Sequence, residues 1–278
     1  MSNNPLQQYF RQPAIYIKLP SNGQFYPPGS LEPAVNGEYP VLPMTAIDEM
    51  TYRTPDALFN GSAVISVIQS CMPNIKNGWH VPSVDVDTIL VAIRIASYGH
   101  NMEFSSSCPA CNEIAERELD LRQVLDSIKS SDYNQSIKTG DMEIFFKPMT
   151  YQDLNNNNQM QFEEQKILQM LPDTEIDNAE KVNLLNDALR KLTEVTVQAL
   201  SQSIGAIKTP TSLVTESEYI QEFLKNCDRK LFNNIRDHVI DVKGQAEMQP
   251  VNLVCDKCQH KYQQMLTLDM SSFFAVAS

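Results

Sequence analysis

The chain has 278 residues, of which 42% are hydrophobic and 20% charged, a composition typical of a folded protein with a sizeable core. Its 34 acidic residues outnumber its 22 basic ones, so the formal net charge is -12. This charge argues against DNA or RNA as the main partner, because nucleic-acid-binding proteins usually present a basic surface to the phosphates.

The longest apolar run, residues 89–95, is short and is interrupted by Arg94, so we predict no membrane span. The N-terminus has no apolar core and no small-residue cleavage site, so we expect no signal peptide. We therefore expect the chain to fold in a reducing cytoplasm, where disulfides are rare.

The first part of the chain, residues 1–54, is rich in turn-forming sequences. Short strands are predicted at residues 14–19, where apolar and polar side chains alternate, and at residues 38–42. We interpret residues 1–54 as an extended N-terminal arm that lies across other surfaces, as is common in proteins that assemble. An ordinary loop-rich edge is the alternative.

Residues 55–148 are predicted to contain two helices and two hairpins. Pro55 begins one helix, which runs to about Ser70, and Asp85 can cap the other. The second helix is apolar on nearly every side, so we expect it to be buried within the fold or against a neighbouring subunit. A cysteine-containing hairpin follows, and then a β-hairpin.

Residues 149–245 are predicted to be a helical insertion, and residues 246–278 return to strand-like sequence around a second pair of cysteines. The clearest helix of the insertion, from residue 179 to about residue 203, carries an apolar stripe at helical spacing. The stripe consists of Val182, Leu185, Leu189, Leu192, Ala199 and Leu200. Helices and short strands in this order predict an α+β fold.

Four of the six cysteines form two C-x-x-C pairs, Cys108 with Cys111 and Cys255 with Cys258, each between strand-like flanks. A tetrahedral Zn²⁺ ion takes four thiolates at about 2.3 Å, and a two-residue gap lets one tight turn present two of them. Two such turns facing each other complete the site. We therefore predict that these four cysteines are the ligands of one structural zinc ion, which ties together two distant parts of the chain.

The flanks of the two pairs resemble the halves of a zinc ribbon, in which zinc joins two β-hairpins. We thus predict a β-rich, zinc-ribbon-like module made from two hairpins that the helical insertion separates. Ribbons often place glycine directly after the second cysteine, in the left-handed conformation. Asn112 tolerates that conformation and Gln259 does so poorly, so we expect the second turn to be less regular.

Other interpretations of the cysteines remain open. Iron in a rubredoxin-like site uses the same ligands, an iron–sulfur cluster also takes four cysteines, and a thioredoxin-like redox pair uses a single C-x-x-C. A zinc ribbon that binds nucleic acid is a further alternative. The acidic residues around the first pair argue against it, namely Glu113, Glu116, Glu118 and Asp120. The basic and aromatic residues around the second pair leave it only a small opening, namely Lys257, His260, Lys261 and Tyr262.

No motif points to catalysis, so we predict that the protein is not an enzyme. Its four histidines form no H-E-x-x-H motif, and the chain contains no phosphate-binding G-x-x-x-x-G-K and no G-x-S-x-G. Four thiolates also leave a zinc ion no open position for catalysis. Cys71 and Cys227 lie on predicted helices and are expected to be buried or partly buried free thiols.

The order of these segments resembles a known family over residues 60–125. VIQSCMP at residues 67–73 is followed by WHVPSVDVD at residues 79–87, then by the apolar helix and the first cysteine pair. This order resembles the baseplate hub proteins of T-even-type contractile-tailed bacteriophages. The resemblance implies a structural subunit or an assembly factor of the central hub, located in the virion tail baseplate and assembled in the host cytoplasm. It also implies a hetero-oligomeric assembly with other baseplate and tail hub proteins, and no enzymatic role.

Overall fold

The computed structural model of the protein describes residues 4–54, 60–171, 177–265 and 274. The chain divides into two compact units. Unit 1 comprises Met1–Ser130 together with Ala246–Ser278, and unit 2 comprises the intervening Ser131–Gln245. Unit 1 is therefore built from two stretches that lie far apart in the sequence.

Short strands and helices follow one another in small groups along the chain. In the first stretch they are β1 (Ile15–Ile17), β2 (Tyr39–Val41), α1 (Ala46–Tyr52), α2 (Ser62–Cys71), α3 (Ser83–Tyr98), β3 (Asn101–Ser107), β4 (Ile114–Asp120) and α4 (Leu121–Ser127). The rest of the chain adds β5 (Ile137–Thr139), β6 (Met142–Phe146), α5 (Tyr151–Met170), α6 (Asn178–Gln202), β7 (Ile204–Lys208), β8 (Leu213–Val214), α7 (Ser217–Asn226), α8 (Arg229–Gln245), β9 (Val251–Val254) and β10 (Lys261–Gln264). Single 3₁₀ turns lie at Gln7–Tyr9, Val35–Gly37 and Gly78–His80. The mixture of helices and small sheets confirms the α+β class, and the predicted helix start at Pro55 lies outside the described residues.

Helix α3 is buried and contacts α2, α4, β1 and β2, which confirms that its apolar surface is covered within the fold. Between residues 89 and 93 every side chain is at most 4% exposed. The helix ends before Gly99, whose φ of 87° suits glycine. Asp85 does not cap the helix, because its carboxylate accepts hydrogen bonds from Ser21 and Tyr26 of the N-terminal segment instead.

The N-terminal segment is held against the helices of unit 1 by Arg11. The Arg11 guanidinium donates hydrogen bonds to the Pro43 carbonyl oxygen at 2.6 Å and to the carbonyl and hydroxyl oxygens of Ser70, both at 2.7 Å. It also lies 3.2 Å from Asp48, whose carboxylate forms the capping box of α1 with Thr45. A single side chain thus ties this segment to α1 and α2.

Two antiparallel hairpins carry the cysteine pairs. In the first, β3 pairs with β4 along seven residues and ends with Ser107 opposite Ile114. In the second, β9 pairs with β10, and Val254 lies opposite Lys261 next to the turn. Each hairpin is a two-stranded sheet of its own, and each turn contains one C-x-x-C pair.

Unit 2 has a four-stranded antiparallel sheet in the order β5-β6-β7-β8. Its core combines apolar side chains of the sheet with those of α6, α7 and α8, namely Ile144, Phe146, Val197, Leu200, Ile204, Ile207, Ile220, Leu224 and Ile235. Strands β7 and β8 fall within the segment that was expected to be helical, and the β5–β6 hairpin belongs to this sheet. The insertion therefore has a sheet and a core of its own.

Helices α5 and α6 pack side by side as a hairpin within unit 2. Of the apolar stripe predicted on α6, only the C-terminal end reaches the core, through Leu200. Val182, Leu185 and Leu189 of the same stripe are exposed. Across the described ranges, none of the helices combines the length and the hydropathy that crossing a membrane requires.

Candidate metal centre

The first cysteine pair lies in the tight turn between β3 and β4. The backbone N–H of Cys108 donates to the carbonyl oxygen of Glu113 at 2.9 Å, and the N–H of Asn112 donates to the carbonyl oxygen of Cys108 at 2.8 Å. Asn112 has a φ of 56°, a left-handed conformation that asparagine tolerates. The turn brings the sulfur atoms of Cys108 and Cys111 within 4.8 Å of each other.

The second pair repeats this turn between β9 and β10. The N–H of Cys255 donates to the carbonyl oxygen of His260 at 2.9 Å, and the N–H of Gln259 donates to the carbonyl oxygen of Cys255 at 2.9 Å. Gln259 has a φ of 59°, close to that of Asn112 in the first turn. The expectation of a less regular second turn is therefore wrong. Its two hydrogen bonds hold Gln259 in the left-handed conformation despite a steric cost of about 1 kcal/mol.

All four sulfur atoms lie within 4.8 Å of one another. Across the two turns, Cys108 Sγ is 3.7 Å from Cys258 Sγ, and Cys111 Sγ is 3.6 Å from Cys255 Sγ. Four sulfurs at about 2.3 Å from a central zinc ion would be about 3.8 Å apart, so the cluster has the size that a tetrahedral ion requires. The four cysteines are free thiols, and a disulfide would need a separation of about 2.05 Å.

The sulfur cluster lies at the edge of unit 1 rather than deep within it. Cys108 and Cys255 are buried, Cys111 is partly exposed and Cys258 is exposed. Within the described ranges, no other group of three or more His, Cys, Asp or Glu side chains is arranged to hold a metal ion. The two remaining cysteines are free thiols, one buried and one partly buried, which confirms their prediction.

Backbone N–H groups hydrogen-bond to the sulfurs and favour the thiolate form. Those of Cys258 and Lys257 lower the pKa of Cys255 to about 7. The N–H of Glu113 also lowers the pKa of Cys111. Hydrogen bonds with the neighbouring thiols outweigh this effect, the largest being the one with Cys258, and the pKa of Cys111 is raised to about 12. The shared hydrogen bonds therefore favour the thiolate of Cys255 and the protonated thiol of Cys111. A divalent cation among the sulfur atoms would favour the thiolate form of all four cysteines.

Ion pairs join the two turns beside the sulfur cluster. Lys257 Nζ lies 2.7 Å from Glu113 Oε2. Arg117 on β4 donates a hydrogen bond to the carbonyl oxygen of Val254 at 2.8 Å and pairs with Asp256 at 2.9 Å. These contacts orient the second hairpin on the first independently of the sulfur atoms.

Further hydrogen bonds join the strands of the two hairpins. Ser106 Oγ lies 2.9 Å from the hydroxyl of Tyr262, and the side-chain amide of Gln264 donates to the carbonyl oxygen of Ser105 at 3.4 Å. The sequence pattern pointed to the cysteines and not to these bridging side chains. In the sequence, these contacts are indicated only by the acidic residues beside the first cysteine pair and the lysines beside the second, which are opposite in charge.

Comparison with known proteins gives one family. The sequence model of a family described as T4 bacteriophage base plate protein matches residues 13–275, which include both cysteine pairs. Comparisons with curated proteins and with solved structures found no match. Because the family match extends over most of the chain, the chain belongs to the family of T4 bacteriophage base plate proteins and is a structural component of the virion tail baseplate rather than an enzyme.

Proposed function

We propose that the protein is a subunit or an assembly factor of the central hub of the baseplate, bound to other baseplate and tail hub proteins. The family match supports the baseplate. The resemblance of residues 60–125 to hub proteins supports the central position, and these residues form α2, the buried α3 and the first cysteine turn. The function is therefore to supply a surface of fixed shape on which neighbouring subunits assemble.

In this proposal Cys108, Cys111, Cys255 and Cys258 hold one structural zinc ion. The observation that carries it is the meeting of four sulfur atoms within 4.8 Å, two from each stretch of unit 1. Sulfurs 3.6 and 3.7 Å apart leave room for a single ion, which disfavours an iron–sulfur cluster. Four thiolates also fill every position of a tetrahedral ion, so the metal supplies a cross-link and no reactive site.

The cross-link completes unit 1 from its two stretches. Residues 112–254 separate the two turns in the sequence, and closing such a loop costs chain entropy that grows only slowly with its length. Structural zinc contributes on the order of 10 kcal/mol in small domains, which is enough to offset that cost. The chain's own ion pairs, Arg117 with Asp256 and Lys257 with Glu113, hold the turns in the orientation that the metal needs.

The metal is tested by elemental analysis and absorption spectroscopy of protein purified without oxygen. We expect one zinc ion per chain and no visible absorption. Cys255→Ser should lose the metal, whereas Cys227→Ser, which changes a thiol outside the cluster, should keep it. One iron ion per chain with visible absorption would assign the site to iron instead of zinc. Wild-type protein that contains no metal would refute the metal site.

The hub position is tested by a cryo-electron microscopy map of baseplates that contain a tagged copy of this chain. We expect the label near the tail axis, in the mature baseplate or in hub assembly intermediates. A label only at the baseplate periphery would contradict the hub proposal and leave the metal site untouched. Tight, salt-sensitive DNA binding without any tail association would instead favour the nucleic-acid alternative.

A further inference from the structure

The four sulfur atoms of the cluster differ in how far solvent reaches them. Cys258 is exposed and Cys111 is partly exposed, whereas Cys108 and Cys255 are 0% and 3% exposed. When a cation is bound, all four sulfurs are thiolates, because a coordinating thiol loses its proton. Exposure then decides which sulfur an oxidant from solution attacks, and Cys258 is the first that it meets.

The two cysteines outside the cluster are protected from the same attack. Cys71 is 0% exposed, and burial raises its pKa to about 12, so its sulfur stays a protonated thiol. Cys227 is partly buried, and burial raises its pKa as well. Because the thiolate is the reactive form, oxidation of this chain is expected to be selective for the cluster.

Cys258 faces a sulfur atom of the other turn. Its Sγ lies 3.7 Å from Cys108 Sγ, which is van der Waals contact. A disulfide bond is about 2.05 Å long, so the two atoms need to approach by roughly 1.6 Å, within the reach of side-chain rotation. An oxidised Cys258 therefore has a partner thiolate beside it, and that partner belongs to the first hairpin.

Contacts other than those of the sulfurs keep the two turns aligned while such a bond forms. Lys257, directly before Cys258 in the chain, pairs with Glu113 of the first turn at 2.7 Å. Arg117 of β4 pairs with Asp256 of the second turn at 2.9 Å. The two sulfurs therefore remain neighbours even when oxidation weakens the hold of the cluster on a cation.

We propose that Cys258 is the oxidant-sensitive position of the cluster and that its oxidation by a hydroperoxide closes a disulfide with Cys108 across the two turns. The Cys258 thiolate attacks hydrogen peroxide, the O–O bond breaks, a sulfenic acid forms and hydroxide leaves. The Cys108 thiolate then attacks the sulfenic sulfur, the S–S bond forms, the S–O bond breaks and a second hydroxide leaves. In total the two thiolates give up two electrons, and the peroxide takes them up.

The bridge keeps the two stretches of unit 1 joined in an oxidising environment. A baseplate in a released virion meets such an environment, in which disulfides persist. The disulfide uses two of the four sulfurs, so a tetrahedral cation loses half of its ligands and the covalent bond replaces it as the cross-link. This inference rests on the proposed metal centre and is independent of the position in the hub.

The test is a disulfide map of the full-length wild-type chain. The metal content of the sample is measured first, equimolar hydrogen peroxide is added, and the protein is digested with trypsin without reduction. Cleavage after the lysines and arginines places Cys108 and Cys111 in peptide 95–117, Cys255 in peptide 244–257 and Cys258 in peptide 258–261. The two cysteines of the second turn are thus separated by the cut after Lys257.

We expect peptide 258–261 to be linked to peptide 95–117 through Cys108. Cys71 and Cys227 should remain free thiols and serve as internal controls. After a chelator is added, oxidised protein should keep the slow amide hydrogen exchange of β9 and β10, and dithiothreitol should abolish that protection because it reduces the bridge.

Three outcomes would overturn the proposal. A link between peptides 244–257 and 258–261 would place the disulfide within the second turn. Sulfinic or sulfonic acid at Cys258 without a link would show that the Cys108 sulfur does not reach it. Oxidation of Cys71 or Cys227 before Cys258 would place the sensitive thiol elsewhere. In a sample without metal, the same map still decides the proposal, so its failure and that of the metal centre are told apart.

Discussion

At the scale of single residues, Asp85 is a fully buried carboxylate that accepts several hydrogen bonds from the N-terminal segment. It is 0% exposed and accepts hydrogen bonds from the Ser21 backbone N–H at 2.8 Å, the Ser21 hydroxyl at 2.5 Å and the Tyr26 hydroxyl at 2.9 Å. Burial raises its pKa to about 6 even though these bonds favour the charged form. The N-terminal segment is thus joined to α3 through a group that titrates in mildly acidic solution.

We predict that Asp85 makes unit 1 less stable as the pH rises from about 4 to about 6. In the folded chain the Asp85 carboxyl keeps its proton up to a pKa of about 6, whereas in the unfolded chain it loses the proton near 3.8. The folded chain therefore binds more protons between these two values, and its free energy of unfolding falls as the pH rises through them. The decrease in the free energy of unfolding is about 3 kcal/mol at most. Urea unfolding of the wild type and of Asp85→Asn across this range would measure it. Parallel pH profiles of the two proteins would contradict the prediction.

Arg117 is the residue that most directly orients the second cysteine turn, through Val254 and Asp256. We predict that Arg117→Gln weakens zinc binding about tenfold, as is usual when groups that orient metal ligands are removed. Chelator competition would measure the affinity. The control is Arg122→Gln, which removes an ion pair with Asp120 away from the turns. Equal affinities of the two variants would mean that Arg117 does not position the site.

At the scale of elements, the predictions that succeeded rest on strong local signals. The buried helix α3 follows from the apolar run of residues 89–95, which only Arg94 interrupts, and the two cysteine turns follow from the C-x-x-C spacing. Strands β7 and β8 were not predicted, because strands of five and two residues between helices show too little alternation. Periodicity located the stripe of α6 but could not show which part is buried, since that depends on where α7 and α8 pack.

The two cysteine hairpins are separate two-stranded sheets, and such hairpins are marginally stable alone. We predict that removing the metal with a chelator raises amide hydrogen exchange in β3, β4, β9 and β10. The sheet β5-β6-β7-β8 provides the internal control, because its exchange should not change. Unchanged exchange in β9 and β10 after complete metal loss would show that side-chain contacts alone hold the hairpins.

At the scale of the whole molecule, unit 1 is joined across its two stretches at more than one place. Besides the cysteine turns, Tyr52 of α1 donates a hydrogen bond to the carbonyl oxygen of Phe274 at 2.7 Å, and their ring centroids are 5.4 Å apart. Phe274 is 1% exposed. The return of the chain after unit 2 therefore completes both the core and the candidate metal centre of unit 1. The two C-x-x-C pairs predict that the cysteine turns meet, whereas no sequence pattern predicts the contact of Tyr52 with Phe274.

We predict that Cys255→Ser lowers the melting temperature by at least about 10 °C. Each kcal/mol lost shifts it by about 2–4 °C in chains of this size, and the metal's contribution of about 10 kcal/mol leaves several kcal/mol after the entropy cost of closing the loop is offset. Differential scanning calorimetry of the variant beside Cys227→Ser would measure the shift. A decrease of only a degree or two for Cys255→Ser, matching the control, would mean that the site does not stabilise the fold.

The identity of the ligands is tested most directly by X-ray absorption at the zinc edge on the purified full-length chain. If the two cysteine turns hold one structural ion, the spectrum will show four sulfur neighbours at about 2.3 Å and no nitrogen or oxygen neighbour. A mixed shell that includes nitrogen or oxygen, or fewer than four sulfurs, would contradict a closed site made of Cys108, Cys111, Cys255 and Cys258.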